Sequence, residues 1–144
     1  MRTFAVAVVA ALGIGFAATA APIPKDEKAK TVQEKIVGTW KLVKSDAPLG
    51  DGQTFEIVYK KGGEMAFTRT FEDKDTPARV SKGKFKAGEP DDKNKLGTID
   101  WTVSEGDAER GELSKIVKLT DTDLVIEDPE GLKETFERVK EEKK

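Results

Sequence analysis

The chain has 144 residues, the size of one domain, and contains neither histidine nor cysteine. That rules out a disulfide framework, a thiol nucleophile and any hydrolytic triad built on histidine, and it removes the commonest zinc ligands. With 25 basic and 27 acidic side chains the net charge is −2, a balanced mixture that confers solubility and lacks the basic footprint of a nucleic-acid binder.

The first segment reads as a targeting signal. Arg2 supplies a positive charge, Phe4 to Phe16 form an apolar run too short to span a bilayer, and Ala18-Thr19-Ala20 makes an A-x-A cleavage site. The expectation is a signal peptide over residues 1–20, cut after Ala20, since a cut one residue later would leave Pro22 first. The protein is then exported to a periplasm or to the extracellular space, with no membrane span in the mature chain. Without cysteine there is no site for lipoprotein attachment. Residues 21–30 are polar and contain Pro22 and Pro24, so they read as a flexible leader.

Thr31 and Glu34 have capping-box spacing, which predicts a short helix from Thr31 to Val37 that Gly38 ends. From Thr39 the pattern changes to period two, the mark of half-buried strands. Trp40 and Leu42 flank Lys41, and Phe55, Ile57 and Tyr59 alternate with more polar neighbours. Lys60-Lys61-Gly62-Gly63 is a hairpin turn, and Met65, Phe67 and Phe71 share a face of the returning strand. A weaker strand from Arg79 to Lys86 carries Val80 and Phe85, and the next puts Ile99, Trp101 and Val103 on one side. Strands at Leu113–Leu119, Leu124–Glu127 and Leu132–Val139 follow, with a charged tail at 141–144.

Eight strands joined by short turns predict an all-β fold. It is a small closed antiparallel up-and-down barrel over residues 31–140, with a short N-terminal helix. A two-sheet sandwich is the competing architecture. No catalytic residue, metal ligand or cofactor is expected. The carboxylate groups Glu72, Asp73 and Asp75, Glu89 to Asp92, and Asp121 with Asp123 sit in polar connections and lack calcium-loop spacing. Lys61-Gly62-Gly63 lacks the spacing of a phosphate loop, and Lys82, Lys84 and Lys86 read as a solvated strand face. An eight-stranded barrel is just wide enough either to be filled by its side chains or to hold one small ligand. The candidate ligand contacts are therefore the inward aromatics Tyr59, Phe67, Phe85, Trp101 and Phe136, with Tyr59 as the polar handle.

The order of these features resembles the lipocalin-like superfamily. The residues that carry it are the helix before Gly38-Thr39-Trp40, the hairpin FEIVYKKGGEMAFT and the closing LTDTDLVIEDPEGLKETFERVK. The closing segment is most similar to small lipocalin-like domains of exported bacterial proteins, of the type expanded in planctomycetes. The resemblance implies that Trp40 closes one end of the barrel and that a basic residue of the last strand covers its ring. Arg138, two residues after Phe136 and so on the same face, is that residue. Gly38, Trp40 and Arg138 are then an architectural signature, and a ligand enters at the far end. The implied function is non-catalytic binding of a small, largely apolar molecule by a monomer. The alternative is a solid-cored envelope module that binds another protein.

Overall fold

The computed structural model describes residues 30–140. The expected signal peptide, the leader up to residue 29 and the tail at 141–144 lie outside the described residues. Helix α1 (Val32–Ile36) is followed by β1 (Gly38–Ser45), β2 (Gln53–Tyr59), β3 (Glu64–Phe71) and β4 (Arg79–Gly88). Then come β5 (Thr98–Glu105), β6 (Ala108–Leu119), β7 (Asp123–Glu127) and β8 (Lys133–Arg138). Every strand pairs antiparallel with the next, and β8 returns to β1, with Trp40 opposite Arg138 and Leu42 opposite Phe136. That last pairing closes the sheet into a barrel and removes both free edges, which a sandwich would leave. Among the described residues no helix is long and apolar enough to cross a membrane.

An up-and-down path sends the connections alternately to two ends. One end holds α1 and the β2–β3, β4–β5 and β6–β7 connections; the other holds β1–β2, β3–β4, β5–β6 and β7–β8. Curvature comes from two bulges, between Leu42 and Lys44 in β1 and between Ile116 and Lys118 in β6. Gly83 serves the same purpose at a close approach. A Cβ there would run into the Thr102 carbonyl and lie 2.7 Å from Val103 Cα, so β4 and β5 can meet at this point only through glycine.

The inward residues of β4 are Ser81, Gly83 and Phe85, while Val80 is exposed. One strand reading needs correction. Strand β6 starts at Ala108, well before Leu113, and Leu113 points outward. Its first inward positions are Arg110 and Glu112, so the polar half of the strand shows no hydrophobic alternation. Lys82, Lys84 and Lys86 are exposed along the outer face of β4.

Candidate ligand-binding site

The closed end is built first, from the helix outward. Thr31 and Glu34 complete their capping box, Thr31 Oγ1 accepting from Glu34 N at 3.2 Å and Glu34 Oε2 accepting from Thr31 N at 2.9 Å. The apolar residues of α1, Val32 and Ile36, stand four apart on one face and are buried against the barrel floor. Burial of each contributes about 1.5–3 kcal/mol. Two further bonds fix the helix to β4 and its following loop: Ala87 N donates to Gln33 Oε1 at 2.7 Å, and Val32 N donates to Glu89 Oε1 at 3.2 Å.

Trp40 is fully buried beneath this helix and donates its indole N–H to the Ile36 carbonyl at 2.7 Å. The Arg138 guanidinium lies over the indole, 4.1 Å from the ring centroid. It also donates to three carbonyls: Lys35 at 2.6 Å, Val37 at 2.7 Å and Asp121 at 2.7 Å. One side chain thus joins the end of α1, the start of β1 and the β6–β7 turn. Gly38 makes room for it, since its φ is +140° and a Cβ would occupy the position of Arg138 Nη1. Replacing Arg138 with alanine is expected to cost about 2 kcal/mol, from charged hydrogen bonds and the ring contact together. Lysine should recover less than half of this, because it keeps the charge and loses the fork of donors. Urea melts of the three proteins, compared at constant slope, give the answer.

Above this plug the interior is hollow. A layer of Ile99, Ile116, Leu124, Phe85 and Phe136 packs on Trp40, and Tyr59 sits edge-on to Phe85 with ring centroids 4.6 Å apart. Beyond Tyr59 and Phe136 lies a cavity of about 520 Å³ that reaches the loops at the open end. Ser81 leaves space at one inward position, where a small side chain stands opposite Phe67. The walls are apolar near the floor, with Leu42, Ile57, Met65, Phe67, Trp101 and Ile126. Pro48 and Leu49 of the β1–β2 connection and Leu132 of the β7–β8 connection stand at the mouth.

The upper wall is charged. Arg69 and Arg79 face each other across β3 and β4, Arg69 over the Phe55 ring at 5.2 Å and Arg79 near the Phe71 ring at 5.8 Å. Arg110 pairs with Glu105 at 3.9 Å. On the opposite side stand Glu112, Glu134 and Asp128, from β6, β8 and the turn between β7 and β8. Asp128 accepts from the Glu130 and Leu132 amides, and Glu112 accepts from Ser114 Oγ at 2.8 Å. Glu134 has no hydrogen bond or ion pair among the described residues. Burial raises its proton affinity above the usual carboxylate range, and the charges of Glu112 and Asp128 add to the shift.

This gives a pH signature. A carboxylate with a raised folded pKa stabilises the fold below its ordinary value of 4.5, and that stability is lost as pH rises through the raised value. Glu134→Gln removes the dependence, so the variant should gain stability over the parent as pH climbs from 4.5 to neutrality. Thermal melts of both proteins across that range measure the difference. Asp73, Asp91 and Asp123, exposed turn carboxylates held low mainly by hydrogen bonds, act in the opposite direction and cancel in the comparison.

Of the sequence candidates, Tyr59, Phe67, Trp101 and Phe136 come together on the cavity wall, while Phe85 lies beneath it in the packed layer. Glu112, Glu134, Ser81 and the arginines were not singled out. For Glu134 a signal was available, since it stands two residues before Phe136 and must face the same way.

The fold is a closed eight-stranded up-and-down barrel with a short helix across one end. No protein-family model matches the chain, and no curated relative does. Among solved structures it is similar to an uncharacterised protein from Bacteroides eggerthii, with 19% identity over 72% of this chain and 98% of that one, at a TM-score of 0.49. It is also similar to bovine odorant binding protein in complex with undecanal, with 20% identity over 82% of this chain and 79% of that one, at 0.45. The same bovine protein from nasal mucosa gives 20% over 82% and 80%, at 0.44. What this barrel holds is read from its own lining.

Proposed function

We propose that this protein is an exported, non-catalytic carrier that holds one small, largely apolar molecule in its barrel. The observation that carries this reading is the cavity. Its volume of about 520 Å³ falls inside the range of small-molecule sites, and it has an apolar floor with a few convergent polar groups. A module serving only protein contact has no need of an unfilled interior, because filling it with larger side chains would add stability. A chain without histidine or cysteine brings little acid–base or nucleophilic chemistry to such a pocket. Export is supported by the charge, apolar run and cleavage pattern of residues 1–20, and kinship with small exported bacterial lipocalin-like proteins by Gly38, Trp40 and the closing hairpin.

Native mass spectrometry of protein purified from its own host tests the reading. A retained adduct of small-molecule mass, released on denaturation, is expected. A protein that emerges empty and also takes up no apolar probe in vitro contradicts it.

A further inference from the structure

The charge arrangement at the cavity narrows the class of ligand. Glu134 is partly buried, faces into the cavity and has no positive partner among the described residues; the charges acting on it, Glu112 and Asp128, are both acidic. Asp128 is committed to its turn through two backbone amides, and one oxygen of Glu112 is taken by Ser114. That leaves Glu134 and the second oxygen of Glu112 without donors inside the barrel.

An independent feature points to the same place. The Tyr59 side chain is 2% exposed, and its hydroxyl has no hydrogen-bond partner among the described residues. No sealed side-chain oxygen or nitrogen in the described residues lacks a partner, so this hydroxyl opens onto the cavity it lines. Open to the cavity, this hydroxyl is available to a ligand. Burial, and after it the charge of Glu134, holds the phenol protonated.

From this arrangement we infer that the ligand is an apolar molecule with a cationic amine head, held by Glu134, Glu112 and the Tyr59 oxygen. An ammonium offers three N–H donors, and Glu134, Glu112 and Tyr59 each bring to the cavity wall an oxygen that can accept. Its charge relieves the repulsion between the carboxylates, and its apolar body lies along Trp101, Phe67 and Ile57. The arginines stand apart from this carboxylate group, and the octanoate arm of the test below asks whether they draw an anion instead. Arg69 and Arg79 lie against aromatic rings at the rim, and Arg110 is paired with Glu105.

The inference rests on the carrier reading, and one comparison separates the two. Isothermal titration of the protein at pH 7 with octylammonium, 1-octanol and octanoate holds the apolar tail constant and varies only the head. Octylammonium is expected to bind about tenfold tighter than 1-octanol, with octanoate weakest. In Glu134→Gln octylammonium should fall to the level of 1-octanol. If 1-octanol binds as tightly as the amine, or octanoate binds best, the cationic assignment is wrong and the carrier reading stands. If none of the three binds, both are wrong.

Discussion

Trp40→Ala is expected to lower the melting temperature by about 10–20 °C. Truncating a buried aromatic costs roughly 3–5 kcal/mol in lost burial and residual cavity, and a domain of this size loses about 4 °C for each kcal/mol. Two further losses follow from the geometry. The Ile36 carbonyl loses the indole N–H at 2.7 Å, and the Arg138 guanidinium loses the ring beneath it at 4.1 Å. Since Arg138 also holds Lys35 and Val37, the helix that seals the floor loosens with the tryptophan. Trp101→Ala makes the contrast: that residue is only half-buried and borders empty space, so its removal should cost markedly less. Near-equal costs at the two sites would mean that the barrel has no distinct packed end.

Ser81→Trp is expected to weaken binding of the neutral dye N-phenyl-1-naphthylamine by tenfold or more, with little loss of stability. Ser81 points inward from β4, opposite Phe67 on β3, and a large ring there occupies the volume a ligand would take. Overpacking a filled core costs about 1–3 kcal/mol; in a cavity of about 520 Å³ the ring has room. Fluorescence titration gives the affinity, and a parallel melt gives the stability. An unchanged affinity would place the dye outside the barrel.

How much of this could be read from sequence depends on where the polarity lies. The helix was legible because Thr31 and Glu34 satisfy each other locally, whatever the rest of the chain does. Strands β2 and β5 were legible because their inward residues are mostly apolar and their outward residues mostly polar. The start of β6 was not, because its inward positions Arg110 and Glu112 line the open half of the barrel and carry charge. The same fact hid the upper half of the site: alternation marks a core face, and a cavity wall with carboxylates on it does not look like one. Leu113 misled in the opposite sense, an apolar residue on the outer face that suggests a strand start five residues too late. The volume of the cavity was not legible at all, since it depends on how inward side chains from all eight strands meet across the barrel.

Trp40 and Trp101 supply the most direct test, because one seals the packed floor and the other borders the hollow half. Their two indole N–H signals can be followed by NMR while N-phenyl-1-naphthylamine is titrated into the protein. The Trp101 signal should shift and saturate at one equivalent of dye, while the Trp40 signal, held by the Ile36 carbonyl, stays in place. A saturating shift at Trp40 with none at Trp101, or no shift at either, would contradict a ligand site in the open half of the barrel.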